Sequence, residues 1–79
     1  MKARVIVTLK SGVLDPQGKA IEGALKGLAV DGLRSVRQGK IFDIELDGDD
    51  PAAARRRLCE ACERLLVNTI VENYAIEIA

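Results

Sequence analysis

The stretch Leu33 to Asp47, LRSVRQGKIFDIELD, decides how this chain folds. Val36, Phe42, Ile44 and Leu46 fall on one parity, and Arg37, Asp43, Glu45 and Asp47 on the other. Alternation at period two is the pattern of a half-buried strand. A two-residue turn at Gly39-Lys40 would pair Val36 with Asp43 and set them on one face, so that hairpin is disfavoured. Two arrangements keep the phase. One is a hairpin around the three-residue loop Gln38-Gly39-Lys40, with Gly39 in a left-handed conformation. The other is a single long strand bent at Gly39, which would overhang so small a domain and need another chain to pair with.

The flanking segments frame that choice. Val5, Val7 and Leu9 alternate with Arg4, Ile6 and Thr8, a half-buried first strand. Asp15 followed by Pro16 reads as an N-cap and first helical residue. Ile21, Ala24, Leu25 and Leu28 then give that helix one apolar face, and Val30-Asp31-Gly32 reads as a turn. The pair Asp50-Pro51 repeats the capping device ahead of a second helix over roughly 51–67, with Asn68 as its C-cap. Ala54, Leu58, Ala61, Cys62 and Leu65 make its expected buried stripe, and Arg56, Glu60 and Arg64 an outer i,i+4 ladder. Tyr74, Ile76 and Ile78 close the chain as a last alternating strand. The expected fold is α+β: a single domain over 1–79, a two-layer sandwich of order β-α-(ββ or one long bent β)-α-β. It has ferredoxin-like character, with two helices on one face of an antiparallel or mixed sheet. The opposite face would show Ile6, Ile41 and Ala75 among polar groups, a surface for a second protomer or partner.

Size and composition narrow the function classes. A chain of 79 residues buries only about 60–65% of its unfolded surface, so its own core is marginal. Two cysteines and no histidine leave neither a disulfide framework nor a metal cluster to compensate, and association with other chains is the remaining route. Twelve basic residues balance twelve acidic ones, with one Phe, one Tyr and no Trp, which argues against a nucleic-acid partner. No segment has the length of a membrane span. Met1-Lys2 leads straight into a strand pattern without a signal-peptide core, so a cytoplasmic setting with reduced cysteines is expected.

Chemical sites are sparse. The run Gly12 to Ala20, GVLDPQGKA, looks at first like a phosphate-binding loop between strand and helix. Five residues rather than four separate Gly12 from Gly18, and Ala20 stands where a Mg²⁺-binding hydroxyl is needed. Asp15 would repel phosphate and Pro16 lacks an N–H to donate. A capped turn explains Gly12, Asp15 and Pro16. It does not explain Gly18 in the first helical turn, where glycine costs about 0.5–1 kcal/mol relative to Ala. Nor does it explain apolar Val13 and Leu14 in a connecting loop. These fit a loop pressed on another protein surface, although Leu14 could instead be a hydrophobic staple. Cys59 and Cys62 form a C-x-x-C within a helix, away from the N-terminus that activates such thiols, and read as small core fillers. No nucleophile–base pair is present. Arg34, Arg37 and Lys40 beside Lys10 read as solvated charges or as contacts to an acidic partner.

Taken together, LKxGVLDPQGxAI over 9–21, Ala24-Leu25-x-x-Leu28, Val36-Arg37-x-Gly39-Lys40, Leu65-Leu66-x-Asn68 and Glu72-x-Tyr74-x-Ile76-Glu77-Ile78 resemble PurS. That family is the small subunit of phosphoribosylformylglycinamidine synthase in purine biosynthesis. The resemblance spans nearly the whole chain. Thr69 and Asn73 depart from it, standing where members often carry proline and aspartate. The resemblance implies a non-catalytic, self-associating subunit that bridges a glutaminase subunit, which releases ammonia, and a large synthetase subunit, which uses ATP and Mg²⁺. It implies no catalytic residue, cofactor or metal on this chain. The expected contact residues are Gly12, Val13, Leu14, Asp15, Pro16 and Gly18 in the loop, with Lys10, Arg37, Gly39, Lys40 and Tyr74 around the long strand. The rival readings are a regulatory module binding a small molecule at a dimer interface, and a stand-alone enzyme using carboxylates.

Overall fold

A computed structural model describes residues 1–79. Its elements in chain order are β1 (Lys2–Leu9), α1 (Pro16–Gly27), β2 (Gly39–Glu45), α2 (Pro51–Ala61), a π-helical turn (Cys62–Leu66) and β3 (Glu72–Ile78). The three strands form one antiparallel sheet in the order β2-β1-β3. Val5 stands opposite Phe42 and Ile76, and Ile6 opposite Ile41 and Ala75. The period-two pattern thus divides the sheet as expected. Ala3, Val5 and Val7 are buried on the inner face, while Ile6, Ile41 and Ala75 make an apolar row across the outer one.

The hairpin reading of 33–47 is not what forms. Residues 33–38 run into β2 without pairing back on it, and Gly39 has no positive φ. Gly39 is needed for a different reason. A Cβ there would lie 2.6 Å from the Val7 carbonyl oxygen, so β1 approaches too closely for any side chain.

α2 packs against the sheet on its β3 side and seals the core, where Val5, Val7, Cys62 and Val67 are buried among Phe42, Ile44, Leu66, Tyr74 and Ile76. Its buried stripe is Ala54, Leu58 and Cys62. Leu65, expected on that stripe, is 84% exposed. The cause is the π turn. The Val67 N–H donates to the Cys62 carbonyl at 3.0 Å, an i→i−5 bond that advances the phase and buries Val67 instead. The second helix therefore gives up α geometry at Ala61, and Asn68 serves the following turn rather than a cap: its carbonyl accepts from Val71 and Glu72.

Of the two helices expected over the sheet, only α2 lies on it. α1 makes almost no contact with the sheet or with α2. The molecule is correspondingly long, 48 × 25 × 14 Å, with a radius of gyration of 15.9 Å, against roughly 12 Å for a compact chain of this length. The predicted apolar face of α1 is open: Ile21 is 41% and Leu28 75% exposed. Nothing from α1 enters the core. What holds α1 in place is polar, through Asp15 and Glu22.

Candidate subunit interface

Asp15 caps α1 as its sequence position implies, its Oδ1 accepting from the Gly18 N–H at 2.9 Å. Its second oxygen accepts from the Gln38 N–H at 2.6 Å. Two turns along, Glu22 Oε1 accepts from the Val36 N–H at 3.0 Å, and Oε2 meets Lys26 at 3.4 Å. Residues 36 and 38 have the same parity, so both N–H groups leave one edge of an extended segment. The two carboxylates thus take over, beyond Gly39, the acceptor role that β1 plays for β2. Both are held below their ordinary pKa. For Asp15 the first cause is the Gln38 N–H and the second the Gly18 N–H, with burial opposing. For Glu22 the Val36 N–H leads, also against burial.

This explains Gly18 from within the chain. A Cβ at Gly18 would stand 2.7 Å from the Val36 carbonyl oxygen and 2.5 Å from Asp15 Oδ2. Asp15 and Gly18 are buried, so in this fold they face the chain's own 33–38 segment rather than outward. Leu14 is 70% exposed, which rules out the staple and leaves an apolar side chain at the loop's surface. Gly12 sits in the preceding turn at φ 87°, Val13 is half-buried, and Pro16 is exposed at the first helical position. Glu22 is the residue that reading the sequence missed. Its signal is a carboxylate seven positions after an Asp N-cap, on the same side of the helix.

Around the Gly39 end, Arg37 donates to the Lys10 carbonyl at 3.1 Å. Lys40 Nζ lies 5.8 Å from the Phe42 ring centre and 3.7 Å from Glu72 Oε2. Tyr74 is half-buried on the inner face beside Cys59, and burial, first among several causes, pushes its hydroxyl pKa up. Cys62 is fully buried and its thiol is likewise pushed up by burial, the behaviour of a core filler. Lys10, Arg37 and Lys40 therefore gather at one end of the sheet, beside the exposed start of the 12–18 loop.

The two sheet edges differ. Strand β1 turns its odd residues to β2 and its even ones to β3, as the Leu46 N–H to Met1 carbonyl bond and the Ala79 N–H to Lys2 carbonyl bond show. The peptide groups of Ile76 accordingly face outward on β3, and Arg55 from α2 donates to its carbonyl at 3.2 Å. On β2 the outward groups are those of Gly39, Ile41, Asp43 and Glu45, and none has a partner outside the sheet. β3 is guarded and β2 is open. A concavity of about 760 Å³ lies at the far end of the sheet and is broadly open to solvent. Among its lining charges Arg4 and Asp43 are paired at 2.9 Å. That is a poor match to the enclosed, largely apolar pocket of a metabolite site.

The sequence matches, over residues 2–79, the family described as PurS: Phosphoribosylformylglycinamidine (FGAM) synthase. It is 44% identical over 75 residues to the phosphoribosylformylglycinamidine synthase subunit PurS of Synechocystis, covering 95% of this chain and 75% of that one. The crystal structure of Methanocaldococcus jannaschii PurS superposes with a TM-score of 0.86 at 34% identity, covering 96% of this chain and 92% of the other. The structure of PurLQS from Thermotoga maritima contains a chain that superposes at 0.88 with 33% identity, covering 96% and 93%. With the same three-stranded sheet and two helices, and with family resemblance running from the second residue to the last, this chain belongs to the PurS family, the small subunit of phosphoribosylformylglycinamidine synthase in purine biosynthesis.

Proposed function

We propose that this chain is the non-catalytic assembly subunit of its synthase, associating with itself and joining the large synthetase subunit to the glutaminase subunit in the cytoplasm. ATP and Mg²⁺ act on the synthetase subunit, and this chain contributes surface rather than chemistry. The observation that carries the reading is the likeness, at 33% identity and a TM-score of 0.88 over 96% of the chain, to a subunit in PurLQS from Thermotoga maritima. Three features of the molecule agree with it. The core is small, the apolar face of α1 is uncovered, and the edge of β2 is open. Leu14 and Val13 supply apolar contact from the 12–18 loop, and Lys10, Arg37 and Lys40 supply a basic rim.

The test is reconstitution. Purified chain is added to the synthetase and glutaminase subunits with ATP, Mg²⁺, glutamine and formylglycinamide ribonucleotide, and glutamine-dependent amidation is followed. Activity that rises with added chain and saturates supports the assembly role. Activity indifferent to the chain overturns it.

A further inference from the structure

The end of α2 and the turn after it hold two apolar side chains in solvent. The i→i−5 bond from Val67 to Cys62 turns Leu65 outward, where it is 84% exposed, and Ile70 in the following turn is 83% exposed. Neither sits on loose backbone. The Asn68 carbonyl accepts from Val71 and Glu72, its Oδ1 accepts from the Ile70 N–H at 3.2 Å, and its own N–H donates to Glu72 Oε1 at 2.7 Å. The Val71 carbonyl accepts from the Lys10 N–H at 2.8 Å, which fastens the turn to the end of β1. A single exposed apolar residue is ordinary. Two on backbone pinned in this way lose less freedom on meeting a partner than two on a mobile loop would.

Their chain neighbours line a cleft of about 330 Å³, formed by Lys10, Glu63, Thr69, Glu72, Asn73 and Tyr74. Two of the expected contact residues, Lys10 and Tyr74, thus come together on the β3 side of the sheet, across β1 from β2. Both oxygens of Glu72 are engaged, one by the Asn68 N–H and the other by Lys40 at 3.7 Å. Glu63 and Lys10 take part in none of the molecule's ion pairs. The cleft therefore carries one free anion and one free cation that do not answer each other. Leu65 stands two positions from Glu63, and Ile70 next to Thr69. Apolar anchors, a tyrosine and unanswered charges make up a protein interface. A free metabolite would need an enclosure that this cleft lacks.

We infer that another subunit of the synthase docks on this surface, through a segment that sets apolar side chains on Leu65 and Ile70, a basic group against Glu63 and an acidic group against Lys10. This rests on the assembly reading and gives it a surface and a direction. The apolar contacts supply affinity. The two charges of opposite sign fix orientation, because a reversed segment would bring like charges together. The π turn then has a function, as such turns often do. A helix continuing in α phase would keep Leu65 on the buried stripe and leave the cleft without one of its anchors.

The experiment titrates the chain into the synthetase and glutaminase subunits under the amidation conditions above and reads the concentration that gives half-maximal activity. Leu65→Ala and Ile70→Ala should each raise that concentration about tenfold, the usual effect of losing an interface anchor, with full activity regained at saturation. The double variant Lys10→Glu, Glu63→Lys keeps the net charge and exchanges the two signs. It should raise the concentration more than either Lys10→Gln or Glu63→Gln. Circular dichroism and light scattering on each variant check that fold and mass match wild type. Alanine variants that titrate as wild type overturn the inference and leave the assembly reading intact. Alanine variants that weaken assembly while the exchanged variant does not refute the charge pattern assigned to the partner. A wild-type chain without effect on activity overturns the assembly reading itself. Hydrogen exchange on the wild-type complex decides independently of how any variant folds. Amides over 63–70 should exchange more slowly in the complex than in the free chain, and unchanged rates there refute the surface.

Discussion

The carboxylate of Asp15 holds the backbone N–H of Gln38 at 2.6 Å, across 23 residues of sequence, while capping its own helix at Gly18. With Glu22 on Val36, it makes α1 and the 33–38 segment one body in the absence of apolar packing between α1 and the sheet. The tether is acid-labile in a definite direction. Both carboxyls sit below their ordinary values of 3.8 and 4.5, so as pH falls the unfolded chain takes up protons first. The tether contributes fully above the ordinary carboxylate range and is lost as pH falls through the depressed values. Comparing urea unfolding between about pH 6 and pH 3 should show a steeper loss of stability in wild type than in the Asp15→Asn, Glu22→Gln double variant. Equal slopes would place the pH dependence elsewhere.

Glycines on the same helix separate propensity from packing. In an open helical site, Gly→Ala gains about 1 kcal/mol. Gly23 is such a site, with nothing within 4 Å of the position a Cβ would take, and Gly23→Ala should raise Tm by a few degrees. Gly18→Ala should do the opposite, because the Val36 carbonyl blocks the new methyl and the 33–38 segment must move. Thermal unfolding of the two variants beside wild type checks the sign of each.

Helix α1 ends in a Schellman arrangement. The Val30 N–H reaches the Leu25 carbonyl and the Ala29 N–H the Lys26 carbonyl. The residue that must turn left-handed is Ala29, at φ 59°, where glycine is the usual occupant. An L-residue pays about 1–2 kcal/mol there, partly offset by glycine's greater freedom in the unfolded chain. Ala29→Gly should therefore stabilise by about 0.5–1 kcal/mol. A variant with unchanged or lower Tm would mean that this turn is not formed in solution.

What the sequence made legible was local chemistry. Asp15-Pro16 and Asp50-Pro51 start the two helices as their caps and fixed φ require. The alternation through Val5, Phe42 and Ile76 sets which sheet face is inner. What it left ambiguous was non-local. Parity around Gly39 is compatible with a hairpin and with a straight run, because both preserve the face of every side chain. The structure takes neither form in full: β2 begins only at Gly39, and residues 33–38 lead into it outside any strand, anchored at 36 and 38 by carboxylates. The apolar stripe of α1 was legible as a stripe, but a stripe does not say which chain covers it. Gly18 signalled close approach, but the surface it was expected to meet was another protein's, and its neighbours proved to be Asp15 and the Val36 carbonyl of its own chain.

The π turn at Cys62–Leu66 gives the last test, because it assigns opposite fates to two leucines that a continuous helix would treat alike. Leu58, on the buried side of α2, is 3% exposed, whereas Leu65, seven residues on, is 84% exposed. Truncating a buried leucine to alanine costs about 2–5 kcal/mol through lost transfer energy and the cavity left behind. A surface truncation usually stays within about 0.5 kcal/mol. Leu58→Ala should accordingly move the urea midpoint strongly and Leu65→Ala hardly at all. If Leu65→Ala proves as costly as Leu58→Ala in the isolated chain, the helix continues in α phase through residue 65, and the i→i−5 bond from Val67 to Cys62 is not present in solution. If it is silent there but weakens binding of the synthetase or glutaminase subunit, the π turn has a purpose: it withdraws a leucine from the core and sets it on the surface that meets a partner.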